Sequence, residues 1–250
     1  MIDVNTWLGH WPFQDFAVST GEALARHLAA EGIDHALVSP VEAALHPDPH
    51  LCNRRLWDTV ARCPQLEIAP VINPSLPGWE VHLSELTRRG ARAVRVLPNY
   101  HQYELTDTCA QRLADAMRRS RQVLLVQMRL EDERNQYAPL QIAGVPVERV
   151  GKLAALFPDL RIVCLCPYLA EVEQLAAAPG NVHVDLSYTE TLSTVAALLE
   201  RIEVERVLFG SHTPFLYTRA ARAKVEAAEV DESAVAAISE GNAERLLKPR

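Results

Sequence analysis

The sequence predicts a single-domain α/β protein, a TIM-type (β/α)8 barrel with an extra C-terminal helix over residues 1–250. Three observations carry this. Short β-branched runs alternate from end to end with helical patterns of roughly 10 to 14 residues. The alternation gives eight strands and eight helices in 250 residues, the count such a barrel needs. No linker, charge run or low-complexity stretch interrupts it. A doubly wound sheet shares the alternation but usually carries a Gly-rich first turn, and Leu8-Gly9-His10-Trp11 has a single glycine.

Strand one is expected at Ile2–Asn5 and helix one at Gly21–Ala30. His35–Ser39 follows, then a helix over Pro49–Arg62 opened by Pro49 at its first position. Glu67–Ile72 leads into Glu80–Arg89, which Gly90 closes. Ala91–Leu97 and Val123–Met128 flank the helix Thr108–Ser120. In Val147–Phe157 the residues Leu153, Leu156 and Phe157 repeat at helical spacing, and Pro158 ends the run. Arg161–Leu165, Leu169–Ala177 and Val182–Leu186 come next, with Pro179-Gly180 before the last of these. Thr191–Arg201, Arg206–Phe209 and Thr218–Ala228 complete the eight pairs, and Asp231 opens the extra helix.

Composition narrows the function. The chain is 48% hydrophobic and 23% charged, as soluble globular chains are. Lys plus Arg number 25 against 32 acidic residues, and a net charge of -7 argues against a nucleic-acid or anionic-membrane surface. No apolar run approaches the roughly 18 residues of a membrane span. The start has no basic, apolar leader, and five cysteines suit reduced thiols, so a cytoplasmic protein is expected. Homo-oligomer contacts, if any, are expected on the helical exterior.

Barrel chemistry belongs to the C-terminal ends of the strands. Strand one offers Asp3, Asn5 and Trp7 on one face if Val4 faces the helices, and strand four runs into Asn99, Tyr100 and His101. Strand five ends at Arg129, strand seven alternates His183, Asp185 and Ser187 on one face, and strand eight ends at His212. The segments Ile2-Asp3-Val4-Asn5-Thr6-Trp7-Leu8-Gly9, Val94-Arg95-Val96-Leu97-Pro98-Asn99-Tyr100, Asn181-Val182-His183-Val184-Asp185-Leu186-Ser187, Leu208-Phe209-Gly210-Ser211-His212-Thr213-Pro214-Phe215 and Gly241-Asn242-Ala243 resemble, in that order, the amidohydrolase-related (amidohydrolase 2) family. The resemblance implies a barrel whose relatives hydrolyse lactones, amides and esters or decarboxylate small acids, usually with one divalent metal.

The chain departs from that pattern at the metal ligands. Asn5 and Trp7 stand for the family's His-x-His, Gln127 or Met128 for a His after strand five, Leu165 or Cys166 for a His after strand six, and His212 for a metal-binding Asp. Asn and Trp cannot replace two imidazoles, so no metal ligands are assigned and no cofactor is expected. A rearranged site from His10, His101, Asp185 and His212 would suit iron or zinc, but no close ligand spacing supports it. Cys164-x-Cys166 would place two thiols on one strand face, read as core packing ahead of metal binding.

The expected function is therefore hydrolysis of a small carboxylated lactone, ester or amide. His212 and His101 are the acid–base candidates, with Asp185 orienting His212. Asn5 and Asn99 would polarise the carbonyl, Trp7 would line the pocket, and Arg129, favoured over Arg95 and Arg134 behind it, would grip the carboxylate. For each there is a bland alternative: a filled polar layer, an exposed loop, a salt bridge or core packing. Decarboxylation in the same pocket, and a non-catalytic barrel that binds a small metabolite or a protein partner, are the alternative functions.

Overall fold

Residues 1–248 are described by a computed structural model of the chain. The eight strands are β1 (Ile2–Leu8), β2 (His35–Pro40), β3 (Leu66–Ile68), β4 (Ala93–Val96), β5 (Val123–Gln127), β6 (Ile162–Leu165), β7 (Val182–Asp185) and β8 (Val207–Leu208). Between them lie α1 (Gly21–Ala30), α2 (Pro49–Val60), α3 (Trp79–Arg88), α4 (Thr108–Ser120), α5 (Val147–Leu156), α6 (Leu169–Ala176) and α7 (Thr194–Leu199). After β8 come α8 (Thr218–Glu226), α9 (Glu232–Ala236) and α10 (Asn242–Leu247), the last two joined by a π-helical turn at Ala237–Gly241. The expected alternation is present, and the extra C-terminal helix exists as α9 and α10.

The eight strands pair in parallel, in a three-stranded ladder β1-β2-β3 and a five-stranded ladder β4 to β8. The ladder does not run continuously round the barrel. One seam is crossed by the Val71–Arg95 bridge and the other by the Thr6–Thr213 bridge, with Val4 N donating to Phe209 O at 3.1 Å. Pro70 explains the first seam: it has no N–H to give, and its carbonyl takes the Arg95 N–H at 2.8 Å. β3 is therefore shorter than the expected Glu67–Ile72.

Three apolar clusters and one polar layer fill the molecule. One apolar cluster packs the helices against the outer sheet face, through residues such as Leu24, Val38, Val94, Val126, Cys164 and Val184. A second lies at the bottom of the barrel, where Val4, Leu37, Ala93, Val123 and Leu208 meet Ala243, Leu246 and Leu247 of α10. A third caps the top with Trp7, Trp11, Leu97 and Leu130. Between the second and third sits a layer of polar side chains with no exposed surface: Asp3, Asn5, Arg95, Gln127, Asp185 and His212.

Two details correct the expected facing. Val4, expected toward the helices, packs with the bottom cluster, because the β1 register shifts between Asp3 and Thr6. Cys164 and Cys166 do not share a face either. Cys164 packs on the outer side, whereas Cys166 follows the end of β6 at φ +60°, which turns its thiol to the polar layer.

Candidate active site

The polar layer gathers on the strand ends, and its centre is a cation. Arg95 leaves β4 and donates from Nη1 to Asn5 Oδ1 at 3.0 Å and Gln127 Oε1 at 2.9 Å. Its guanidinium carbon stands 4.0 Å from the Trp7 ring centroid, a cation–π contact. Nε and Nη2 are buried and have no hydrogen-bond partner. Burial lowers the guanidinium to about 9, against the opposing pull of Cys166, Asp185 and Asp3. It stays charged at neutral pH.

Two carboxylates answer it. Asp185 accepts from Asn5 Nδ2 at 2.7 Å, Cys166 N at 2.7 Å and the Ser187 hydroxyl at 2.9 Å. A Cβ at residue 210 would fall onto this carboxylate, so Gly210 is what leaves Asp185 room. Asp3 Oδ1 accepts from Asn5 N at 2.9 Å and Ser211 N at 3.0 Å, while its Oδ2 is buried without a partner. Burial raises Asp3 to about 7, and the nearby Asp185 charge adds to the rise. Its carboxyl therefore keeps a proton close to neutrality.

His212 stands at φ +57°, in the left-handed region where a non-glycine residue is strained. Its Nε2 is 2.7 Å from Leu130 O, an acceptor only, so Nε2 carries the proton and Nδ1 is the lone pair. Trp7 Nε1 donates to Nδ1 at 3.3 Å, and Cys166 Sγ lies 3.2 Å from the same atom. Burial pushes the imidazole down to about 3, so it is neutral over the physiological range.

The expected site residues divide accordingly. Asn5, Trp7, Asp185 and His212 are brought together; His101, Asn99 and Arg129 are not in contact with them. Asp185 is not the partner that orients His212, because its oxygens are taken by Asn5, Cys166 and Ser187, and the Leu130 carbonyl orients the ring instead. His101 bonds the Ala43 carbonyl through Nε2 at 2.9 Å. Asn99 ties two loops by donating to Met128 O and Ala143 O. Arg129 is unavailable to a substrate carboxylate: it holds Glu171 bidentately at 2.5 and 2.8 Å and reaches Glu133 at 3.3 Å. His10 is exposed, away from the polar layer.

Sequence reasoning set Arg95 behind Arg129 as a carboxylate grip and missed that it is the central cation, which alternation with Ala93 places inside the barrel; it also missed the part of Cys166. The signal for Arg95 was available, an arginine amid Ala93-Val94-Arg95-Val96 with no exposed face to go to. That for Cys166 was partial: it is one of two residues standing where the family has a His after strand six, but the positive φ that turns it inward leaves no pattern to read.

Above the layer, Leu130, Tyr188 and Phe215 separate His212 from a cavity of about 540 Å3 that also borders Tyr168 and Glu190. Phe215 stacks on His212 at 4.9 Å between centroids. A second cavity of about 670 Å3 opens between the loops after β4 and β5, beside Asn99 and Arg149.

A family model described as amidohydrolase matches residues 14–248. Among curated proteins there is no match. The chain is similar in structure to a 2,6-dihydroxybenzoate decarboxylase from Rhizobium (TM-score 0.75, 13% identity, covering 98% of each chain). It is similar to 5-carboxyvanillate decarboxylase from Sphingomonas paucimobilis (TM-score 0.76, 16% identity, 98% of each chain). It is also similar to a dihydroxybenzoic acid decarboxylase from Polaromonas sp. JS666 with bound manganese and 2-nitroresorcinol (TM-score 0.76, 14% identity, 98% of this chain and 96% of that one). Likeness at these identities establishes the fold.

The manganese corrects one expectation. A neighbour crystallised with that ion points to a metal cofactor for this fold and overturns the expectation of none. The residues present do not fit the ion as a ready ligand set. Among the described residues no group of three or more His, Cys, Asp or Glu is placed to hold a metal. Asn5, Trp7 and Gln127 carry no imidazole, and the Arg95 guanidinium lies among them.

Proposed function

The chain belongs to the amidohydrolase family, and from that premise we propose that it decarboxylates a small carboxylated ring compound at the centre built on Arg95, Asp3 and His212. The observation that carries this is the unpartnered edge of Arg95. Nε and Nη2 form one side of the guanidinium, and two parallel N–H groups on a buried cation match a planar carboxylate. The named substrates of the structural neighbours, dihydroxybenzoate and carboxyvanillate, are carboxylated rings. Hydrolysis was the first expectation from sequence; decarboxylation fits the neighbours at least as well and takes its place.

In this reading Arg95 anchors the carboxylate and Trp7 gives a planar substrate an apolar wall. As the carbon–carbon bond breaks, carbon dioxide departs and the electron pair left on the ring carbon takes a proton. Asp3 holds a proton close to pH 7 and has a free oxygen, so it is the donor. His212 stays neutral and fixes the Leu130 carbonyl that closes the top. No step runs through a metal.

The test is carbon dioxide release from a panel of hydroxylated benzoates, with and without added manganese. Release that falls at least about 100-fold in Arg95→Leu, with the fold intact by circular dichroism, is expected. No release from any member under either condition sinks the reading, and saturable binding without turnover would instead make the protein a binding barrel.

Hydrolysis remains as a second reading on one observation. The Cys166 thiol lies 3.2 Å from the unprotonated nitrogen of His212, an arrangement suited to acyl transfer.

A further inference from the structure

We propose that Cys166 is a nucleophile activated by His212, and that the chain acylates this thiol with small esters or lactones before water releases the acid. The inference rests on the hydrolytic reading and names its nucleophile.

Four observations converge. Cys166 Sγ is 3.2 Å from His212 Nδ1, and the Leu130 carbonyl on Nε2 leaves that nitrogen as an acceptor, which the Trp7 indole N–H shares at 3.3 Å. Asn5 Nδ2 at 3.2 Å and Gln127 Nε2 at 3.1 Å point amide hydrogens at the sulfur. Each amide has two hydrogens, and the other goes to Asp185 or to Arg129 O. The Ser187 hydroxyl, at 3.3 Å, has one hydrogen and stands closer to Asp185, so it adds nothing. Cys166 occupies a left-handed position between β6 and α6, as His212 does after β8. The fold thus holds both residues of the pair in a strained backbone conformation, and such strain collects at working sites. Cys164, two residues earlier, packs against the helices with no such partner.

Burial raises the Cys166 thiol, so the resting sulfur is protonated. The attack is therefore base-assisted. As the S–C bond forms at the carbonyl carbon, the thiol proton passes to His212 Nδ1. The carbon–oxygen bond to the leaving group breaks, and that oxygen takes the same proton from the imidazolium. Water then adds to the thioester, gives its proton to Nδ1, and the sulfur recovers it as the acid leaves. The unpartnered Arg95 N–H groups are donors for the carbonyl oxygen as it becomes an oxyanion.

The thiol is fully buried and Leu130 belongs to the apolar cluster that caps the barrel top, so the probe is 4-nitrophenyl acetate, applied to the wild type and to Leu130→Ala. That variant keeps the backbone carbonyl on His212 and opens the cap. Intact-protein and peptide mass spectrometry would find one acetyl group on Cys166, formed in a nitrophenolate burst. The adduct should be absent in Cys166→Ser, unaffected by Cys164→Ser, and formed at least about 100-fold more slowly in His212→Asn. Its rate should follow no titration between pH 5 and 8, because the imidazole is already neutral there. Steady ester turnover with no adduct, undiminished in Cys166→Ser, overturns the nucleophile and leaves the hydrolytic reading standing. Absence of both turnover and adduct in the opened variant overturns the two together. An acetyl group on another residue also overturns the proposal.

Discussion

At the residue scale, one arginine organises the centre, and its neighbours are arranged around its charge. Burial raises Asp185 against the opposing hydrogen bonds from Asn5, Cys166 and Ser187, helped by the Arg95 charge, whereas Asp3 is raised to about 7 and is the group whose proton is worth most near that pH. The decarboxylation reading therefore carries a pH signature. The rate should fall as pH rises through about 7, where Asp3 gives up its proton. Asp3→Asn should abolish turnover while leaving substrate binding within a few-fold, as equilibrium titration would show. A rate that stays level to pH 9 would remove Asp3 as the donor. Gly210 offers a second check. Ala there must displace the Asp185 carboxylate, which strips Cys166 N and Asn5 of their acceptor; a drop of at least about 2 kcal/mol in unfolding free energy is expected in a denaturant titration. Much of this was legible as residue type but not as contact. The alternation of β7 marked Asp185 as an inward acid, and the end of β8 marked His212. The pairing of the two did not follow, because Asn5 and Ser187 lie nearer to Asp185 than the imidazole does.

At the element scale, the sequence showed the alternation because each helix has a hydrophobic face and each strand a β-branched run. α1 matches its expected span residue for residue, and Thr20 caps it by accepting from Ala23 N. The misses fall where backbone chemistry rather than side-chain pattern decides. Pro70 cuts β3 short, the bulge in β1 turns Val4 inward, and α7 begins at Thr194 rather than Thr191 after a left-handed Ser193. None of these leaves a periodicity to read. The stretch after β5 makes the clearest functional demand, since Leu130 lines the upper cavity, packs in the top apolar cluster and orients His212 with its carbonyl. Trimming Leu130 to Ala should raise the on-rate for a small substrate and cost about 2–5 kcal/mol of stability, the range for a buried Leu. Stopped-flow binding and a thermal melt separate the two effects. Unchanged binding kinetics would show that substrate enters by another route.

At the scale of the whole molecule, the buried titratable groups pull stability in opposite directions with pH. His212 and His183 are pushed down to about 3 and about 4 by burial. Each is neutral when folded and takes a proton when unfolded below about 6.5, so its contribution is whole above that pH and is lost as pH falls. Asp3 behaves in the reverse sense. Its folded value of about 7 lies above the unfolded 3.8, so its contribution is present at low pH and lost as pH rises through 4 to 7. Asp185 and Glu131, also raised by burial, act with Asp3, while His50 and His101, lowered by burial, act with the histidines. The two sets offset each other between about pH 4 and 6.5, so unfolding free energy should vary little across that window. Asp3→Asn removes one member of one set. Acid should then destabilise the variant, with uptake of about one more proton on unfolding than in the wild type over the same window. Denaturant titrations at half-unit pH steps measure this directly. Parallel curves for variant and wild type would mean that Asp3 is ionised in the folded protein, and would take away the proton that the decarboxylation reading needs.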